Sequence, residues 1–210
     1  MLTSENVSFK YSGRDLIDFP DLKLDNNAHC LILGKSGIGK TTLLHILAGL
    51  LKPTSGSVLI DDQNIYNFTS AGLDFFRGQH IGLIFQKPYF IQSINVSKNL
   101  AWAQQLSGKK PEFKRIDELL NRLQIQKHKN HLPSRLSAGE QQRASIARAL
   151  VNKPSIILAD EPTSSLDDEN AMAVVNLLRE QAEQDGASLI IVTHDVRIKE
   201  QFQHQISLGV

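Results

Sequence analysis

The first part of the chain alternates between apolar and polar residues, a pattern typical of antiparallel strands with one buried face. The apolar positions are Val7, Phe9, Tyr11, Leu16, Ile17, Leu22 and Leu24. Farther along, continuous apolar runs replace the alternation at residues 30–33, 156–159 and 189–192. Such runs are typical of strands covered on both faces, as in a parallel sheet between layers of helices.

Helical spacing of apolar residues follows the first two runs, over residues 41–51 and about 169–183. The third run comes after the second helix, which gives the order strand, helix, strand. We therefore expect an α/β fold with a mainly parallel core sheet, preceded by an antiparallel β subdomain.

Residues 88–149 change character and predict mostly helix, with a break at Pro133. One helix face is marked by the spacing of Ile116, Leu119, Leu120 and Leu123. We interpret this stretch as an α-helical subdomain inserted between two strands of the core sheet. Residues 1–210 then form a single domain, with its core at about 1–87 and 150–210.

Charge and composition exclude several classes of protein. Lys and Arg number 23 against 22 Asp and Glu, a formal net charge of +1, so the basic excess typical of nucleic-acid binding is missing. No apolar run approaches the roughly 20 residues of a membrane-spanning helix, and the N-terminus lacks a secretion signal. The single cysteine, Cys30, lies in an apolar run and is expected to be buried. We expect a soluble, reduced, cytoplasmic protein with no nucleic-acid partner.

The strongest chemical signal is a glycine-rich segment between the first apolar run and the helix after it. It reads Gly34-Lys35-Ser36-Gly37-Ile38-Gly39-Lys40-Thr41-Thr42 and fits the P-loop pattern. Glycines let backbone N–H groups approach a phosphate, and the helix points the positive end of its dipole at the same anion. Lys40 is expected to reach the β- and γ-phosphates, and the Thr41 hydroxyl to coordinate Mg²⁺. The segment predicts nucleotide binding in a P-loop NTPase core.

Two carboxylates, Asp160 and Glu161, end the apolar run at residues 156–159. An acidic residue at such a strand end holds Mg²⁺ or its water shell in P-loop NTPases, which suits Asp160. Glu161 projects differently and is expected to polarise a water for attack on the γ-phosphate. A strand that runs into a polar surface loop is the simpler alternative, but the neighbouring P-loop favours catalysis.

Two further polar residues follow apolar runs: His194 after residues 189–193, and Gln86 after residues 81–85. A histidine at a strand end is suited to contact the γ-phosphate or the attacking water. By themselves, the residues leave a purely structural role equally open for both positions.

The segment Leu136-Ser137-Ala138-Gly139-Glu140-Gln141-Gln142-Arg143 resembles the signature motif of ABC ATPases. It precedes the Asp160–Glu161 strand in the order of that family, and the resemblance covers nearly the whole chain. It implies that Tyr11 stacks on adenine. In the same way, Gln86 is implied to mark the join to the helical subdomain and to belong to both the metal site and the catalytic site. It also implies that Ser165-Leu166-Asp167 form the loop after the catalytic carboxylate and that His194 is the switch histidine.

The resemblance further implies ATP and Mg²⁺ as cofactors and a site shared between two chains. Ser137 and the backbone N–H of Gly139 would grip the nucleotide held by the other subunit, in a homodimer or a pair with a similar ATPase. Three positions depart from the common pattern: Ala138 for glycine, Glu140 for glutamine and Ser165 for alanine. Glu140 places a negative charge near these phosphate-binding groups. This charge is expected to slow hydrolysis unless a cation such as Arg143 offsets it.

A transport subunit is the expected role, attached to the inner face of the membrane through an integral-membrane permease. The helical stretch after Gln86, especially residues 90–96, is expected to form the groove for a coupling helix of that permease. The chain looks similar to small stand-alone ATPases of lipoprotein release and macrolide export. The alternatives are ABC ATPases that act on DNA or ribosomes. ABC ATPases that act on DNA carry long coiled coils, and the sustained heptads of a coiled coil are missing here. Those that act on ribosomes usually carry two cassettes in one chain.

Overall fold

A computed structural model of the chain describes residues 1–13, 15–164 and 166–209. The strands are β1 (Leu2–Lys10), β2 (Leu16–Asp18), β3 (Leu22–Leu24), β4 (His29–Leu33), β5 (Ser55–Ile60), β6 (Gln63–Asn64), β7 (Ile81–Ile84), β8 (Ile156–Asp160), β9 (Ser188–Thr193) and β10 (His204–Ser207). The helices are α1 (Lys40–Leu47), α2 (Ser70–His80), α3 (Val96–Leu106), α4 (Phe113–Arg122), α5 (Ala138–Leu150) and α6 (Asp168–Asp185). Short 3₁₀ turns lie at Ile65–Asn67, Gln126–His128, Pro133–Arg135 and Val196–Gln201.

The alternating N-terminal part folds into an antiparallel sheet, as its pattern predicts. Strand β1 pairs antiparallel with β2, β3 and β5, and β5 pairs with β6. Alternate residues point into one core, where Leu22, Leu24, Val58 and Ile60 are almost fully buried. The period of two therefore becomes one buried and one exposed face in β3 and β5, whereas a register shift between Glu5 and Ser8 interrupts it in β1, and Leu16 of β2 is 48% exposed.

The continuous apolar runs form a parallel sheet in the order β10-β4-β9-β8-β7. Successive residues of its strands belong to different cores: Ile157 and Leu189 pack on one face, Leu158 and Ile190 on the other. Helices cover both faces, so the expected parallel core is confirmed. Cys30 in β4 is fully buried, and this burial raises the pKa of its thiol to about 12.

Two helix boundaries can be compared with the sequence pattern. Helix α1 ends at Leu47, four residues before the predicted end, because Gly49 adopts a left-handed φ of 66° that a continuing helix cannot contain. Helix α6 begins at Asp168, with the Asp167 side chain accepting a hydrogen bond from the Asn170 N–H at 2.9 Å. It ends at Asp185, and the next residue, Gly186, is again left-handed, with φ 68°. The predicted end of α1 was therefore too late, while α6 agrees closely.

Helices α3, α4 and α5 lie between β7 and β8 in sequence, although these two strands are neighbours in the sheet. Their apolar faces, including Leu100, Leu119 and Ile146, share one core with the parallel sheet. Helix α5 crosses the expected limit at residue 149 and packs against β7. The division into core and inserted subdomain remains a prediction. Within the described ranges, no helix combines the length and apolar character needed to cross a membrane.

Candidate functional site

The loop between β4 and α1 is shaped by glycines in conformations that other residues rarely adopt. Gly37 and Gly39 have φ values of 81° and 106°. A Cβ on Gly34 would lie 2.8 Å from Ile38 Cγ2, so that position also requires the missing side chain. Gly39 is the N-cap of α1 and offers no side chain to its first N–H groups. These N–H groups therefore remain available to an anion.

Lys40 carries the cation of this loop and is almost completely buried. Its Nζ donates hydrogen bonds to the carbonyl oxygens of Gly34 at 2.8 Å and Lys35 at 3.0 Å. The same ammonium lies 3.2 Å from Glu161 Oε1. The lysine thus joins the glycine-rich loop to the end of β8 and places a positive charge at the opening of the loop.

Thr41 and Asp160 meet directly behind Lys40. The Thr41 hydroxyl lies 3.1 and 3.0 Å from the two carboxylate oxygens of Asp160. Burial raises the pKa of Asp160, while the Thr41 hydrogen bond and the charges of His45 and Lys40 act in the opposite direction. A hydroxyl beside a carboxylate is a set of hard oxygen donors, which Mg²⁺ prefers. These residues fit a magnesium ion.

Glu161 adopts a left-handed φ of 45° and keeps only 8% of its surface exposed. Its Oε2 accepts a hydrogen bond from the Thr193 hydroxyl at 2.9 Å, and His194 Nδ1 lies 3.0 Å from Oε1. Burial raises the pKa of this carboxyl, but hydrogen bonds from His194, Thr193 and Lys40 outweigh it, so the net pKa is lowered. Glu161 is therefore a fixed, ionised acceptor.

A pocket of about 320 Å³ collects most of the predicted site residues. Its lining consists of Tyr11, Ile17, Ser36, Gly37, Gly39, Lys40, Thr41, Thr42, Gln86, Glu161 and His194. At one side the Tyr11 hydroxyl lies 3.0 Å from Thr42 Oγ1. At another, Gln86 Nε2 donates to Ser164 Oγ at 3.2 Å. Residues that are distant in sequence thus surround one cavity.

Sequence reasoning missed two contributors to this site. Ile17 lines the pocket from β2, and only its apolar character was visible in the sequence. Thr193 holds Glu161, and its position at the end of an apolar strand was the available signal. Ser165, expected in the loop after the catalytic carboxylate, lies outside the described residues.

Ser137 and Gly139 do not line this pocket; they lie at the start of α5. Ser137 and Glu140 form a reciprocal capping box: Glu140 Oε2 accepts from the Ser137 N–H at 2.9 Å, and Ser137 Oγ accepts from the Glu140 N–H at 3.4 Å. The backbone hydrogen bond from Ser137 is the main cause that lowers the pKa of Glu140. A Cβ on Gly139 would meet no atom of the described residues within 4 Å.

The carboxylate of Glu140 contacts a histidine, and Arg143 contacts a different residue. His128 Nε2 lies 2.8 Å from Glu140 Oε1, whereas Arg143 donates to the Leu123 carbonyl oxygen at 3.5 Å. The carboxylate is thus occupied by its own helix start and by a histidine of the preceding turn.

The sequence profile described as ABC transporter matches residues 18–164. The chain belongs to this family. A protein of Idiomarina loihiensis named "Lipoprotein-releasing system ATP-binding protein LolD" is 40% identical over 185 residues, covering 87% of this chain and 81% of its own. A protein of the same name from Syntrophotalea carbinolica is 42% identical over 188 residues, covering 88% and 82%.

Two solved structures are also similar to this ABC ATPase. The dimeric post-hydrolysis state of the ATP-binding cassette MJ0796, bound to ADP and Pi, has a TM-score of 0.89 at 33% identity, covering 99% of this chain and 94% of that one. CbiO1 from Clostridium perfringens, part of the ABC transporter complex cbiONQ, has a TM-score of 0.82 at 31% identity, covering 93% and 78%. The chain is an ATP-binding and ATP-hydrolysing subunit of a membrane ABC transporter, which confirms the expected role.

Proposed function

We propose that this subunit hydrolyses Mg²⁺-bound ATP in two composite sites of a head-to-tail homodimer, or of a pair with a similar ATPase. The observation that carries the proposal is the position of Glu161, 3.2 Å from Lys40 Nζ and within hydrogen-bond distance of His194 in the glycine-loop pocket. This arrangement places a carboxylate next to the cation that would neutralise the phosphates.

The P-loop residues, Gly34 to Thr42, would hold the triphosphate by their backbone N–H groups. On phosphate binding, Lys40 would exchange its carbonyl partners for phosphate oxygens, which carry more charge. Thr41, Asp160 and Gln86 would hold Mg²⁺, which supplies charge neutralisation for the phosphates. The distances between Thr41 and Asp160 support the metal role of these two residues, and the position of Gln86 in the pocket wall supports its part.

Glu161 would accept a hydrogen bond from the attacking water. Because the pKa of Glu161 is lowered, it is a weak base, and its main contribution would be to orient the water. His194, which contacts the same carboxylate oxygen as Lys40, would hold the carboxylate and would turn toward the γ-phosphate, since its side chain is 55% exposed. Closing the pocket over these groups would strengthen their electrostatic effect.

The start of α5 would complete the site of the second subunit. Ser137 and the N–H of Gly139 would then act as a second phosphate grip, for which the free space at Gly139 leaves room. In that arrangement ATP binding joins the two chains and hydrolysis separates them.

In the presence of ATP and Mg²⁺, the Glu161→Gln variant is expected to form a stable dimer. Light scattering should give a mass that rises from the 23.4 kDa of one chain to twice that value. Adding Ser137→Arg to the same variant is expected to keep ATP binding and to prevent the dimer, since a bulky cation then occupies the grip. If Glu161→Gln binds ATP and stays monomeric, or dimerises equally well with Ser137→Arg, the composite site is wrong.

We also propose that Tyr11 stacks on the adenine ring, supported by its position in the pocket wall. Tyr11→Ala is expected to weaken ATP binding about tenfold, since one stacked base is worth roughly 1–3 kcal/mol. Titration calorimetry with ATP and with tripolyphosphate checks this. Affinity for tripolyphosphate should not change, and Tyr11→Phe should bind ATP almost normally. Equal losses for both ligands would instead assign Tyr11 to the P-loop through its contact with Thr42.

A second cavity, of about 730 Å³, suits a short amphipathic helix of the permease. Its walls are largely apolar and include the exposed side chains of Tyr89, Trp102 and Leu106. Tyr89 and Ile91, from the stretch after Gln86, line this cavity, whereas Val96 is fully buried. Helices α2, α3 and α5 all contribute to its wall.

The relatives named for lipoprotein release support a lipid-modified protein as the cargo of this transporter. Attachment through the groove would place the subunit on the cytoplasmic side of the membrane. Since cargo contacts belong to the permease, this part of the proposal rests on those relatives and not on the ATP site.

A further inference from the structure

A chain of hydrogen bonds links the catalytic region to a residue that sequence reasoning did not single out. Thr193 donates its hydroxyl proton to Glu161 Oε2 at 2.9 Å, and its oxygen accepts the Asp195 N–H at 3.0 Å. The Glu161 N–H also donates to the Val192 carbonyl oxygen at 2.8 Å. The loops that follow β8 and β9 therefore begin side by side.

Asp195 continues this chain as a buried carboxylate. Its Oδ2 accepts the hydroxyl of Thr163, which is fully buried, at 2.8 Å. Its two oxygens accept the Nε and Nη2 donors of Arg197 at 2.8 and 2.7 Å, a forked geometry that only arginine provides. The Arg197 hydrogen bond is the main cause that lowers the pKa of Asp195 to about 2.

Arg197 also reaches the far end of the loop after β8. Its Nη2 donates to the Leu166 carbonyl oxygen at 3.3 Å, and its Nη1 pairs with the Asp168 carboxylate at the start of α6. One guanidinium thus contacts both loops, beyond the point where Glu161 and Thr193 join them.

We propose that Arg197 is a positioning residue for ATP hydrolysis: it fastens the loop of Glu161 to the loop of His194 and so fixes the carboxylate and the histidine relative to each other. The proposal rests on the catalytic role of Glu161 put forward above. Arg197 does not line the nucleotide pocket, so it would act only through the groups that it holds.

Among the described residues, loss of the guanidinium would leave buried Asp195 with the Thr163 hydroxyl as its one side-chain donor, beside the backbone N–H of residue 197. A buried carboxylate without its cation attracts water or another donor, which loosens the loop around it. Glu161 would then sample orientations in which the water is misplaced, while the P-loop would keep its contacts with ATP. A small misplacement of a reacting group costs much of the rate and little of the binding.

Steady-state ATPase assays on Arg197→Ala and Arg197→Lys test this, with Lys199→Ala as a control on the same 3₁₀ turn. We expect Arg197→Ala to lower kcat about tenfold, with KM for ATP within about twofold of the wild type. Arg197→Lys should restore part of kcat, because one ammonium can replace one arm of the fork. Lys199, which is exposed, should have no effect.

Assays are run well below the unfolding midpoint of each variant, so a purely structural role would lower Tm and leave kcat unchanged. That result, or a rise in KM with normal kcat, would overturn the proposal. If Arg197→Ala does not fold, Arg197→Gln replaces it and must also lower kcat. Glu161→Gln is assayed in parallel: wild-type turnover there would overturn both the catalytic assignment and this inference, whereas normal kcat in Arg197→Ala alone would overturn only the latter.

Discussion

Lys40→Ala is expected to lower ATP affinity by about 100-fold or more, equivalent to roughly 2.7 kcal/mol. Lys40 supplies the buried cation of the P-loop, and charged hydrogen bonds to phosphate are among the strongest in proteins. Its loss has a second cost, because Glu161 lies 3.2 Å from Nζ and would then face the phosphates without a cation between them. Both effects act in the same direction.

Titration with a fluorescent ATP analogue measures this change, and Lys52→Ala serves as the matched control. Lys52 is exposed beyond α1, so its removal changes the net charge equally without touching the pocket. Equal affinity for ATP in Lys40→Ala and the control would mean that the P-loop is wrongly assigned as the phosphate-binding site. A loss in both variants would point to long-range charge instead.

The glycine-rich loop could be located in the sequence because its pattern is contained in nine consecutive residues, and its roles toward ATP remain a prediction. The same holds for Asp160 and Glu161, which end a buried strand directly. Contacts between loops could not be predicted: Thr193, Asp195 and Arg197 have ordinary polar character, and only the register of β8 beside β9 brings them to Glu161. Such contacts depend on topology, which local patterns do not contain.

Edge elements were equally hard to predict. Strand β10 pairs with β4 at the sheet edge and has exposed or half-buried residues, so it has no continuous apolar run. Glu140 shows the opposite case. The spacing Ser137-x-x-Glu140 is a capping-box signal visible in the sequence, yet its charge suggested a conflict with phosphate. The hydrogen bond that Glu140 accepts from the Ser137 N–H decides the position of this carboxylate, and the phosphate does not.

Asp185→Asn is expected to reduce the free energy of unfolding by about 3 kcal/mol, the usual cost of breaking a buried ion pair from one side. Asp185 is the last residue of α6, where the helix dipole disfavours a negative charge. Two arginines of α4 compensate: Arg115 Nη2 lies 2.5 Å and Arg122 Nη1 3.5 Å from its oxygens. Arg115 also donates to the Leu150 carbonyl oxygen at 3.3 Å, so this cluster ties α4 to α5 and α6.

Urea unfolding of Asp185→Asn should show a lower midpoint with an unchanged m-value, since the surface exposed on unfolding stays the same. Glu180→Gln, an exposed acid on the same helix, should stay within about 0.5 kcal/mol of the wild type. The double variant Arg115→Leu with Asp185→Leu should be more stable than Arg115→Leu with Asp185 intact, because it removes a buried carboxylate that only the longer contact with Arg122 at 3.5 Å would pair, while the Arg122 side chain is 28% exposed and can turn to water. If Asp185→Asn lowers the free energy of unfolding by less than about 1 kcal/mol, Arg115 finds another acceptor. In that case burial alone, and not the ion pair, holds the helical segment on the sheet.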